Sequence, residues 1–231
     1  MSVKVAKSAG FCFGVSRAVE LVEKTAKAGK QVVTLGPIIH NRHVVDKFRA
    51  LGVEVIDSPE QAEPGQTVII RSHGVARKVY EQLEQRGVEI IDATCPFVKR
   101  IHGLVSRAEE EGALPVIIGT PSHPEVEGIA GWCSHCQVFE SLEALKNWAA
   151  TQDNPCDSSI CMVSQTTLTE SLWKSCVDFA KKQFTNLKFF DTICRATEYR
   201  QSEAASLSEV CQAMVVVGDP SSSNTGRLAM I

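Results

Sequence analysis

The chain has 231 residues, is 44% hydrophobic and 22% charged, and carries a formal net charge of −3 at pH 7. That length suits one large or two ordinary domains, with apolar content enough for a packed core. The charge leaves no footprint for nucleic acid, no apolar run approaches the roughly eighteen residues of a membrane span, and the opening "MSVKVAKSAG" has no apolar leader. The expectation is a cytoplasmic protein without nucleic-acid or membrane partners.

In chain order, a short apolar strand is expected at residues 3–6, ahead of "SAGFCFGVSRAV" and Cys12. Val15, Ala18, Val19, Val22 and Ala26 then repeat at helical spacing, with Gly29 as a stop. A strand, "VVTLG", runs into the polar loop "GPIIHN" with His40. "TVIIRSHG" is a second strand, ending at His73, and "VEIIDATC" a third, ending at Cys95. The pattern restarts there. Phe97, Ile101, Leu104, Val105 and Ala108 make a helix stopped by Gly112. "PVIIG" leads into "GTPSHPE" with His123 and Glu125, "ICMVSQTT" ends at Thr166, and "LKFFDTIC" delivers Cys194. A helix-compatible stretch, "RATEYRQSEAASLSEV", a strand, "MVVVG", and the loop "GDPSSSNT" begin a third round.

The repetition is metrical. Gly36, Gly119 and Gly218 each lie 24 residues past Cys12, Cys95 and Cys194, and each precedes by four residues a polar side chain, His40, His123 or Ser222. Helices alternating with β-branched runs imply parallel α/β layers, with ligands outside the carboxyl ends of the strands, where the loops and cysteines fall. The period is too long for a solenoid. Three α/β modules around a common centre are expected: 13–95, 96–193, and a third, 194–231, cut short and completed in part by the strand within residues 1–12.

Nine cysteines, at 12, 95, 133, 136, 156, 161, 176, 194 and 211, cannot all pair within one chain, so metal or catalytic roles gain weight over a disulfide scaffold. Iron–sulfur clusters are normally held by four thiolates. Three converging cysteines would leave one iron without a protein ligand, as an open position marks a catalytic zinc site. The loops offer His, Ser, Thr, Asn and Glu with almost no Lys or Arg. A phosphorylated ligand would be held by side chains and backbone N–H groups, with Glu125 as a proton carrier.

Other features read blandly. Cys133-x-x-Cys136 with His135 has the form of half a zinc site or a redox pair, but the second tight pair is missing. Cys156, Cys161, Cys176 and Cys211 read as packing residues, and His43 and His102 as histidines on helix-like stretches. Asp92 and Asp191, alike in two modules, are expected to accept backbone hydrogen bonds before each cysteine.

"GFCFGV", "LGPIIHN", "RSHGV", "DATCPFV", "HPEVEG", "SQTT", "DTIC" and "SSSNT" together resemble, in order along the whole chain, the LytB-type iron–sulfur enzymes, 4-hydroxy-3-methylbut-2-enyl diphosphate reductases of the non-mevalonate isoprenoid pathway. The resemblance implies a trefoil of three α/β domains around a [4Fe–4S] cluster with one open iron, held by Cys12, Cys95 and Cys194. It implies reductive dehydroxylation of an allylic diphosphate to isopentenyl and dimethylallyl diphosphate, with electrons from ferredoxin or flavodoxin. His40, His73 and His123 would contact the diphosphate with Ser222, Ser223 and Asn224, and Glu125 would relay protons with Thr166. Phe13 and Ser16 depart from many members without consequence. Members run on past the position of Ile231, so weak turnover is expected. The alternatives are a catalytically impaired fragment, or a zinc or redox-thiol binding module built on Cys133 and Cys136.

Overall fold

The structure is a computed structural model describing residues 3–152 and 159–231, so Cys156 lies outside the described residues. Its strands form two four-stranded, wholly parallel sheets. The first contains β1 (Val32–Leu35), β2 (Glu54–Ile56), β3 (Thr67–Ile70) and β4 (Glu89–Asp92), in the order β2-β1-β3-β4. The second contains β5 (Leu114–Ile118), β6 (Gln137–Phe139), β7 (Ser159–Ser164) and β8 (Asn186–Phe189), in the order β6-β5-β7-β8. Both sheets thus follow one winding, the structural form of the sequence repeat.

The helices are α1 (Phe13–Lys27), α2 (Arg42–Arg49), α3 (Arg77–Gln85), α4 (Pro96–Glu110), α5 (Pro124–Ala130), α6 (Leu142–Ala149), α7 (Glu170–Gln183), α8 (Arg195–Ser208) and α9 (Ser223–Leu228). Contacts divide the chain into two compact units. One holds the residues up to Ser72 with Val88–Ala93 and Cys194–Ile231, and the other His73–Gly87 with Thr94–Ile193.

The second unit shows how the sequence pattern makes layers. Successive side chains of a strand point to opposite faces of its sheet. Val116 and Ile118 of β5 and Ile160 and Met162 of β7 pack with Leu145 of α6 and Trp173, Cys176 and Val177 of α7. Ile117 and Val163, one position out of step, pack with Ile101 and Val105 of α4 and Val126 and Ile129 of α5. Covered on both faces, these strands have no polar side to alternate, so the sequence reads there as a continuous apolar run. Pro115 sits within β5, but the ladder to β6 begins only at Val116, past the proline. In the first unit Ala18 and Val22 of α1, Phe48 of α2, and Val32 and Ile69 form one buried cluster.

Ile117 is fully buried. Ile117→Ala is expected to destabilise the protein by roughly 2–5 kcal/mol, from lost transfer energy and the cavity left between β5 and α4, read as a lower denaturation midpoint in urea.

Several expectations need correction. Each repeat holds four strands rather than three, because β2 and β6, three residues apiece at a sheet edge, are too short to show a period. The strands expected at residues 3–6 and within "MVVVG" do not form. A strand exists through its ladder to a neighbour, and neither segment pairs. Val3, Val5, Val215 and Val217 are instead 84%, 80%, 87% and 91% exposed. Residues 194–231 contribute α8 and α9 but no strand.

Candidate active site

Cys12, Cys95 and Cys194 occupy one and the same local position. Each is the N-cap of a long helix, α1, α4 and α8, and in none does the side chain make a capping hydrogen bond. Their carbonyls take up the first helical N–H groups: Ser16 donates to Cys12 at 2.9 Å, Lys99 to Cys95 at 3.0 Å and Thr197 to Cys194 at 2.8 Å. The backbone therefore starts each helix without calling on the sulfur as a cap. None of the three is in a disulfide, and all are of intermediate exposure. The amino end of a helix favours negative charge, the charge that a thiolate-held cluster carries. Soft sulfurs outside any disulfide at three such positions are a donor set that fits an iron–sulfur group.

Within the first unit, the peptide ahead of Cys12 is strapped to the helix that Cys194 opens. Glu203 of α8 accepts hydrogen bonds from the N–H groups of Lys7 and Ser8, at 2.7 and 2.8 Å, and from the Ser8 hydroxyl at 2.5 Å. Those bonds, from the Ser8 hydroxyl foremost, hold its carboxyl below the usual range. Arg200 donates to the carbonyls of Ser8 and Gly10 at 3.0 and 2.7 Å. Glu203 and Arg200 escaped the sequence reading, since nothing in "YRQSEAAS" announces a partner almost two hundred residues away.

The most specific polar arrangement lies in the second unit. Glu125, in the first turn of α5, is 2% exposed. Its Oε1 accepts the Thr166 N–H at 2.6 Å and its Oε2 the Thr166 hydroxyl at 2.7 Å. Burial pushes this carboxyl above its ordinary pKa, against the opposing pull of the two Thr166 bonds. Two loops at the carboxyl ends of β5 and β7 bring the pair together. Gln165 fastens them by accepting the Thr120 N–H at 3.1 Å through its side-chain carbonyl. Gly119 makes this approach possible, because a Cβ there would lie 2.8 Å from Val126 Cγ2 and 2.9 Å from Gln165 Cβ.

His123 is the N-cap of α5, and its Nδ1 accepts the Glu125 N–H at 3.1 Å. In the neutral ring the proton therefore sits on Nε2. The His73 ring meets it edge-on, centroids 5.7 Å apart. Glu125, Thr166, His73 and His123 thus assemble in one unit, as their positions in the repeated loops suggested.

His40 lies in the other unit, in the loop between β1 and α2. Its pKa is lowered, first by burial and then by the Arg71 charge, while Asp219 pulls the other way. Asp219, another residue the sequence did not single out, ties the loop of Ser222 to that of His40. Its carboxylate accepts the Arg42 N–H at 2.9 Å and the N–H and hydroxyl of Ser221 at 2.9 and 2.6 Å. These bonds hold its pKa at about 2, the Ser221 hydroxyl contributing most. Ser222 caps α9 by accepting from the Thr225 N–H at 3.4 Å, so its hydroxyl has a structural task, and Ser223 and Asn224 follow in the first turn.

Cys161 and Cys176 are buried, and burial pushes both thiols up to about 11. His102 is buried and stacked on Trp132 at 4.9 Å, and His43 is exposed on α2. Asp191 accepts the Ile193 N–H at 3.1 Å, the backbone role expected of it. Among the described residues no three or more His, Cys, Asp or Glu side chains gather as they would around a single metal ion, Cys133 and Cys136 included. Nor is any described helix long and apolar enough to cross a membrane.

Comparison with known proteins follows the same line from end to end. The 4-hydroxy-3-methylbut-2-enyl diphosphate reductase of Caldanaerobacter subterraneus subsp. tengcongensis is 42% identical over 236 residues, covering 100% of this chain and 80% of that protein. The reductase of the same name from Aquifex aeolicus is 38% identical, covering 100% of this chain and 79% of the relative. A solved structure of (E)-4-hydroxy-3-methyl-but-2-enyl diphosphate reductase superposes with a TM-score of 0.75 at 38% identity, over 98% of this chain and 80% of the other. The Plasmodium falciparum E-1-hydroxy-2-methyl-but-2-enyl-4-diphosphate reductase gives 0.89 at 30% identity, over 96% and 70%. The LytB protein family model matches residues 3–231, and the chain belongs to the LytB family.

Proposed function

We propose that this chain is an iron–sulfur oxidoreductase that converts 4-hydroxy-3-methylbut-2-enyl diphosphate to isopentenyl and dimethylallyl diphosphate, the terminal reaction of the non-mevalonate pathway. The observation that carries the reading is similarity along the whole chain to reductases of that name, joined to three cysteines in one repeated helix-cap position. The three-module organisation, with breaks at 95/96 and 193/194, is proposed on the same repetition. The cofactor is proposed as a [4Fe–4S] cluster on Cys12, Cys95 and Cys194 with one iron open, and the donor as a ferredoxin or flavodoxin. When bound, the cluster would supply single electrons and a Lewis-acidic iron for the substrate oxygen.

The chain's own residues have the remaining tasks. The reaction breaks a C–O bond, takes up two electrons and two protons, and releases water. Hydroxide is a poor leaving group, so a proton must reach the oxygen as the bond breaks. Glu125 is built to hold one, because burial favours the neutral acid. Its Oε2 lies 2.7 Å from the Thr166 hydroxyl, which can accept that proton and pass its own onward. His123, through Nε2, and His73 beside it serve as donors to the diphosphate. His40 does the same from the β1–α2 loop, with Ser222, Ser223 and Asn224 as further contacts.

The test is an anaerobic assay of iron-loaded protein with a reduced one-electron donor. Two electrons consumed per diphosphate product, with iron and sulfide but no stoichiometric zinc in the protein, is the expected result. Protein that carries iron and binds substrate without forming either product would put the impaired-fragment reading in its place.

A further inference from the structure

The loop between α5 and β6 holds a second thiol site that the proposed reaction does not use. Cys133 and Cys136 are both free and of intermediate exposure, separated by two residues in one loop, and each lies close enough to influence the ionisation of the other. The backbone between them is pinned from α4, where Glu109 accepts the N–H groups of Ser134 and His135 at 2.6 and 2.9 Å. Trp132, next to Cys133, donates its indole N–H to the Val75 carbonyl at 2.9 Å and lies between His102 and the Arg77 guanidinium. Both cysteines pack against the buried cluster of Val126 and Ile129. The loop that carries both thiols is therefore held by contacts on either side of it.

We propose that Cys133 and Cys136 are a redox-active dithiol, a modification site at which low-molecular-weight disulfides form an intramolecular disulfide, distinct from the cluster cysteines. The roles of the two sulfurs differ. Cys133 donates toward the Ala130 carbonyl at 3.5 Å, a neighbour that a thiolate at Cys133 would repel. With its proton directed at that carbonyl, Cys133 stays a thiol and Cys136 is the more acidic of the two, while the nearby Glu109 carboxylate works against ionisation of either. Cys136 is thus the attacking sulfur. Its thiolate displaces one thiolate from the small disulfide. Cys133, losing its proton, then displaces the second from the mixed disulfide. The protein gives up two electrons, the small disulfide takes them, and the two protons end on the released thiols.

Iron-loaded protein is equilibrated anaerobically with glutathione and glutathione disulfide in graded ratios, quenched in acid, alkylated and digested with trypsin. The fragment between Arg107 and Lys146 contains no cysteine other than these two, so its mass reads the pair directly. The expected product is a fragment two hydrogens lighter and unalkylated, formed at ratios that leave Cys161 and Cys176 fully alkylated. Cys133→Ser should trap glutathione on Cys136, whereas Cys136→Ser should trap little. A pair still alkylated in the most oxidising mixture overturns the proposal, as does glutathione retained on the wild-type fragment without closure. The wild-type mapping decides the question even where a serine variant folds poorly.

Discussion

Glu125→Gln is expected to lower turnover by about 10²–10⁴-fold, the range that one positioned acid contributes, while leaving iron content and substrate affinity near those of the parent. The amide fills the same volume. Its oxygen still accepts the Thr166 N–H, and its NH₂ group can donate to the Thr166 hydroxyl where the carboxylate accepted, so the loops stay fastened. Only the exchangeable acid is lost. Stopped turnover with normal iron and normal binding is therefore the signature to look for. Near-normal turnover would remove Glu125 from proton delivery, and loss of iron would assign it a structural role. A pH signature accompanies it. Because burial raises this carboxyl above its ordinary value, the native state keeps a proton that the unfolded chain has released. Stability from this group is therefore full below the ordinary glutamate pKa and falls as pH rises through the raised one. The glutamine variant should lose that slope, measurable as the pH dependence of the urea midpoint.

Serine at Cys12, Cys95 or Cys194 is expected to have the larger effect still, abolishing both iron retention and turnover. A cluster with one open iron has no spare thiolate, and a hydroxyl is a hard, protonated donor where a soft anion is needed. The fold should survive, because none of the three side chains caps its helix and the backbone bonds that start α1, α4 and α8 do not pass through sulfur. The readouts are iron and sulfide content, the visible absorption of the cluster, and far-ultraviolet circular dichroism as a control. Cys161→Ala and Cys176→Ala, at buried thiols in the sheet and in α7, should keep their iron at some cost in stability. A serine variant that retained full iron would exclude its cysteine from the ligand set.

Much of this was legible in the residues themselves. Two rounds of parallel α/β winding follow from apolar runs alternating with helical spacing, because strands covered on both faces leave no polar positions to disguise them. The three cysteines stood out because their distance to a glycine followed four residues on by a polar side chain recurs, a local quantity that the chain states directly. Glu125 and Thr166 stood in repeated loops, so their chemistry was expected. That both oxygens of one carboxylate engage one threonine was not, because this depends on how β5 and β7 lie side by side. Glu203, Arg200 and Asp219 were invisible for the same reason, since their partners lie far away along the chain. The valines at 3, 5, 215 and 217 carry as much β propensity as those of β1, yet they form no strand. Composition determines which segments are able to be strands, helix caps or proton carriers. Pairing, which requires a neighbour with open hydrogen-bonding groups at the right spacing, is decided only when the chain is folded.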